Sequence, residues 1–100
     1  MPTVILNLPE GFETFAWEVE SKGWLQGANI EVLGKIYSIT FYDPTRLAQD
    51  IESEIATRVA FFERNCVVIP AVTRPNIEAA IELIVSTGRY VDLTPDEKPK

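Results

Sequence analysis

One hundred residues, 46% hydrophobic and 24% charged with a net charge of −6, describe one ordinary globular domain large enough for a core of its own. The acidic balance and the scatter of the nine Lys and Arg argue against a basic face for nucleic acid or for an anionic membrane. A single cysteine, Cys66, excludes an internal disulfide, and the absence of histidine removes the commonest general base and transition-metal ligand.

The stretch Met1 to Leu6 lacks the basic and long apolar regions of a secretory signal. No apolar run approaches the ~18 residues of a membrane span, so the expected setting is the reducing cytoplasm. Thr3 to Leu8 reads as a short strand, closed by the turn signal Pro9-Glu10-Gly11. Phe12 to Glu20 then alternates, with Phe15, Trp17 and Val19 on one face and Glu18 and Glu20 on the other. That period of two predicts a half-buried antiparallel strand. Ser21-Lys22-Gly23 turns the chain, and Gln26-Gly27-Ala28-Asn29 reads as a loop or a bulge. Asn29 to Val32 and Lys35 to Tyr42 flank Leu33-Gly34 as a tight hairpin, although Leu is a poor residue for a left-handed turn position. Tyr37, Ile39 and Phe41 share one face of the second arm.

At Phe41-Tyr42-Asp43-Pro44-Thr45-Arg46-Leu47 a strand gives way to a helix. Asp43 suits the N-cap, and Pro44 suits the first helical position, where its missing N–H is not needed. The helix is predicted to run from about Pro44 to Phe62, with Leu47, Ala48, Ile51, Ile55, Val59 and Phe62 as its buried stripe. Arg46–Asp50 and Glu54–Arg58 are opposite-charge pairs on another face, each contributing roughly 0.2–0.5 kcal/mol. Cys66-Val67-Val68-Ile69 is a continuous apolar run, which suits a strand covered on both faces. A second helix is predicted from Thr73-Arg74-Pro75-Asn76 to just before Gly88, with Ile77, Ala80, Ile81, Ile84 and Val85 inward. Arg89 to Leu93 reads as a last strand, and Thr94 to Lys100 as a polar tail.

The expected fold is a single α+β domain over residues 1–93. Its sheet has about five to six strands, an N-terminal antiparallel meander followed by helix–strand–helix–strand, with two helices packed on it. A ferredoxin-like arrangement is the alternative.

No Gly-rich phosphate loop or nucleotide-binding fingerprint is present. Arg46 stands in the first turn of one helix, where a cation opposes the helix dipole, and Arg74 stands at the entry to the other. If the strands ending near Tyr42 and Ile69 are parallel, both helix starts lie on one sheet edge, where ligands collect in open α/β sheets. Tyr42, Asp43, Arg46, Thr73, Arg74 and Asn76 would then form a site for a carboxylate or phosphate. The plainer reading pairs Arg46 with Asp43 or Asp50 and leaves Arg74 in a surface loop. Glu10, Glu13, Glu18, Glu20 and Glu31 show no metal-binding spacing and read as a solvated face. Trp24 lies just after a turn, and the adjacent rings Phe61 and Phe62 cannot point the same way. Trp24, Phe61 and Phe62 therefore outline a partner surface, or else a small satellite cluster under the loop. Cys66, with no histidine to activate it, reads as an inert core thiol.

These features point first to a non-catalytic protein–protein interaction module, its partner another protein or its own copy, with no cofactor and no metal. The alternative is an anionic-ligand module at Arg46 and Arg74. A cofactor-free enzyme using Asp43, Tyr42 or a Glu with an Arg comes last.

Overall fold

The computed structural model describes residues 2–96. They form β1 (Val4–Asn7), α1 (Phe12–Lys22), β2 (Trp24–Val32), β3 (Lys35–Tyr42), α2 (Pro44–Arg58), β4 (Cys66–Val68), α3 (Arg74–Ser86) and a closing 3-10 turn, Arg89–Asp92. This is a small α+β domain. Its single mixed sheet has the strand order β1-β2-β3-β4, antiparallel except for the parallel pair β3–β4. The first six elements run β-α-β-β-α-β, yet neighbours in sequence are neighbours in the sheet. No strand is inserted between two others, so the ferredoxin-like alternative does not hold.

The sheet has four strands rather than five or six, and there are three helices rather than two. Phe12 to Glu20 is not a strand but most of α1. The same residues carry a helical stripe: Phe12 and Val19 are buried, and Phe15 and Ala16 lie against the core. That spacing of three and four outweighs the period of two, because it places four apolar groups on one side instead of three. Gly11 and Gly23 flank the helix with left-handed backbone, and the N–H of Gly23 donates to Val19 O at 2.9 Å. Trp17, expected in the core, is 70% exposed as a result.

The β2–β3 hairpin forms as expected, with Leu33 and Gly34 both at positive φ, 51° and 78°. The predicted irregularity in β2 is a register shift between Leu25 and Ala28. Arg89 to Leu93 is a 3-10 turn, not a strand. Of the polar tail, Thr94 to Asp96 is hydrogen-bonded to the sheet: the N–H of Asp96 donates to Ile36 O at 2.7 Å. The rest of the tail lies outside the described residues.

Helices α1 and α3 cover one face of the sheet. Between them and the strands lies the core, with Phe12, Val19, Ile30, Val32, Ile39, Phe41, Ile77, Ile81 and Val85 at its centre. β4 was expected to be covered on both faces. It is an edge strand with Val68 exposed and Cys66 half-buried.

The largest departure concerns α2. It ends at Arg58 rather than Phe62, and none of its residues is buried. Leu47 and Ile51 are half-buried, whereas Ile55, Val59 and Phe62 are 53%, 86% and 88% exposed. The far half of the stripe that should lie on the sheet faces solvent.

Phe12→Ala should therefore cost about 3–5 kcal/mol, the usual range for a buried aromatic. Trp17→Ala should cost about 0.5 kcal/mol or less, as at an exposed helix position. Urea denaturation distinguishes this from the strand reading, under which the Trp17 change would be the costly one.

Candidate functional site

Asp43 sits where four elements meet. Its N–H donates to Gly23 O at 2.9 Å, which joins the end of β3 to the turn between α1 and β2. Its carboxylate caps α2 by accepting from the Arg46 N–H at 2.7 Å. A Cβ at Gly23 would collide with that carboxylate, so glycine is required there for close approach as well as for its φ of 71°.

The Arg46 guanidinium donates through Nε to Asp50 Oδ1 at 2.9 Å and through Nη1 to Lys22 O at 3.2 Å. Its carbon lies 5.4 Å from the centre of the Trp24 ring. The out-of-place cation at the helix start is thus held by an aspartate one turn on, a carbonyl and an aromatic face. Trp24 is half-buried beneath it rather than free.

β3 and β4 are parallel, so both following helices do start on the same sheet edge. Their arginines are engaged separately. Arg74 binds Glu13, and its Nε donates to Glu78 Oε2 at 3.1 Å. Both bonds raise its already high pKa. Glu13 and Lys22, the respective contacts of Arg74 and Arg46 on α1, stand nine positions apart, or about 14 Å along the helix. Asn76 donates to Ala71 O at 3.0 Å, and Thr73 stands at the N-cap of α3 without a side-chain cap bond. The six residues named for an anion site therefore fall into two groups, each arginine with its own carboxylate.

Tyr42 belongs to the first group. It is buried, but on the opposite side of the sheet from Phe41 and the core. Phe61 covers it edge-on, with ring centres 6.4 Å apart, and beside it Thr40 donates to Glu63 Oε1 at 3.0 Å. Burial above all, then the carboxylates of Glu63 and Asp50, push the Tyr42 phenol up to about 12. Cys66 is half-buried nearby, and burial followed by Glu63 raises its thiol, which disfavours the nucleophilic thiolate at neutral pH.

Of the three aromatics named for a partner surface, Phe62 alone is fully open to solvent; Phe61 and Trp24 are half-buried. Sequence reasoning missed Ile55, Val59 and Val68, all exposed, and Trp17 on α1. Helical spacing identified the first two as apolar but assigned them to the core.

Among the described residues, no group of three or more Cys, Asp or Glu is placed to hold a metal ion. No helix of the described residues is long and apolar enough to cross a membrane. Comparison with protein-family models, with curated proteins and with solved structures finds no match.

Tyr42 gives this region a pH signature. Its phenol ionises near 10.0 in the unfolded chain and near 12 when folded. Deprotonation therefore favours unfolding: the stability is complete below pH 10 and is lost as pH rises toward about 12. Urea midpoints measured across that interval should fall more steeply for the wild type than for Tyr42→Phe.

Proposed function

We propose that this chain is a non-catalytic protein–protein interaction module whose binding element is α2, its partner another protein or a second copy. The observation that carries the reading is the open far half of the stripe: no residue of this 15-residue amphipathic helix is buried, and Ile55 and the capping Val59 stand in solvent. An apolar helix face without a cover is the form in which helix-in-groove recognition presents its anchors. The chain also has no histidine to serve as a catalytic base.

Val59 supports the same reading independently. It occupies the C-cap of α2 at φ 73°, a left-handed conformation that a β-branched residue adopts only under strain. Glycine or asparagine is the usual choice there. At 86% exposure, Val59 gains nothing from burial within its own chain. A strained apolar residue held in solvent makes sense if its side chain meets a partner. Leu47, Ile51, Ile55 and Val59 also recur at intervals of four. Two such ridges interdigitate at about −50° when like packs on like, which suits a two-fold pair.

Light scattering over a range of concentrations tests self-association: dimer for the wild type and monomer for Ile55→Glu are expected. A wild type that stays monomeric removes the second copy as partner. The reading then requires a protein retained by the wild type and lost by Ile55→Glu, and equal retention by both would end it. Val59→Gly separates strain from binding. It should raise unfolding stability by about 1 kcal/mol and weaken association.

A further inference from the structure

We infer that the open edge of β4 is a second binding site, which takes the extended C-terminal segment of a partner protein, apolar in its last residues and ending in a free carboxylate. β4 is the last strand of the sheet. The N–H of Ile69 donates to Tyr42 O at 2.9 Å and the N–H of Thr40 to Asn65 O at 3.2 Å. Odd-numbered backbone groups thus turn toward β3, and those of Cys66 and Val68 turn to the open side.

Beside that edge runs an open groove of about 660 Å³, floored by Val67, Leu83, Ile84 and Leu93, with Arg64 and Arg89 on its rim. Its volume is that of a site for a short peptide or a small ligand. A strand added to β4 would place every second side chain on this floor, which is how β-augmentation combines backbone affinity with side-chain choice.

The charges select the end of a chain. The molecule is acidic overall, yet the lining of this groove carries two guanidiniums against the single carboxylate of Asp92. Arg89 is paired with Asp92, which offsets its charge, whereas Arg64 makes no ion pair among the described residues and is the cation left for an incoming anion. Arg64 and Asn65 precede β4, so a strand that reaches Arg64 with its C-terminus runs antiparallel to β4.

The same end of the groove is walled. Asn65 spans to the segment that follows the 3-10 turn: its amide donates to Thr94 O at 2.8 Å and accepts from the Thr94 N–H at 2.8 Å. Thr94 lines the groove there, so an incoming strand meets a wall where Arg64 awaits a negative charge. A terminal carboxylate satisfies both conditions, and a continuing chain satisfies neither.

The test uses fluorescein-labelled hexapeptides rich in Val and Ile with a free C-terminal carboxylate, each paired with its C-terminal amide. Fluorescence anisotropy should show the acids binding at least about tenfold tighter than the amides. Arg64→Ala should remove that preference, and as a change on an exposed loop it should leave urea stability unaltered. Amide NMR shifts should centre on Cys66 to Val68 and Ile84. Three results would each overturn the inference: equal binding of acid and amide, shifts centred on α2, or no binding by any peptide at millimolar concentration. Hexanoate, which carries the carboxylate and an apolar chain but no backbone, should bind far more weakly than the peptides; equal affinity would show that the edge is not used. The Ile55→Glu variant should bind the peptides as the wild type does, which keeps this site separable from α2.

Discussion

The contact between Gly23 and Asp43 determines what the rest of the molecule can present. Gly23 ends α1 by donating to Val19 O and accepts from the Asp43 N–H; Asp43 in turn accepts from the N–H groups of Arg46 and Leu47. The end of one helix, the start of β2, the end of β3 and the start of α2 are joined within one short chain of hydrogen bonds. Arg46 closes the arrangement by reaching Lys22 O and the Trp24 ring. The direction of α2 is therefore set at its base, by backbone bonds and a cap, rather than along its length by packing. A helix fixed in this way need not bury its apolar stripe.

That has an energetic consequence. Isolated helices of 12–15 residues are marginal in water, and most helices in proteins are stabilised by burying a face. In α2 the available local terms are the Asp43 cap, worth about 1 kcal/mol, Pro44 at the first position, and the Arg46–Asp50 and Glu54–Arg58 pairs at a few tenths each. They act mostly in the first turns. The far half, which carries Ile55 and Val59, has the least to hold it and the most apolar surface exposed. Coverage of that half by a partner would supply both the missing burial and the missing rigidity.

Legibility in the sequence followed how local each determinant is. The Asp43-Pro44 helix start, the Leu33-Gly34 turn and the close of α3 just before Gly88 depend on a few adjacent residues, and all form where expected. Phe12 to Glu20 holds two periods at once, so alternation alone predicts a strand where a helix forms. Phe15, Trp17 and Val19 satisfy a strand; Phe12, Phe15, Ala16 and Val19 satisfy a helix. Glu13 in the first turn and Lys22 in the last, bounded by Gly11 and Gly23, are the signals that favour the helix. The stripe of α2 is legible as a pattern, but its burial is not. Periodicity shows which side of a helix is apolar but not whether anything lies against it. Arg46 and Arg74 illustrate the same limit: parallel strands do bring both helix starts to one edge, while the groups that engage the two arginines come partly from α1, the Glu13 carboxylate for Arg74 and the Lys22 carbonyl for Arg46, and alternation predicts a strand there.

The open edge shows how a hazard can be turned into a bounded slot. Unpaired strand edges invite indiscriminate pairing, and proteins shorten or cover them. Here β3 extends well beyond β4, which pairs only with its last three residues. The remainder of the β3 edge is closed by other means. Asn65 donates to Ser38 O at 2.8 Å, the Ser38 hydroxyl donates to Asp96 Oδ2 at 2.7 Å, and the Asp96 N–H donates to Ile36 O. A side-chain amide and a short return of the chain thus take the place of a longer strand. On this side of the sheet what stays open is the three-residue outer edge of β4, bounded at its start by Asn65 and Thr94 and flanked by an apolar groove and two arginines. An edge left open by default would carry no such boundaries. One that is short, walled at a single end and positively charged at that end is matched to a chain that stops.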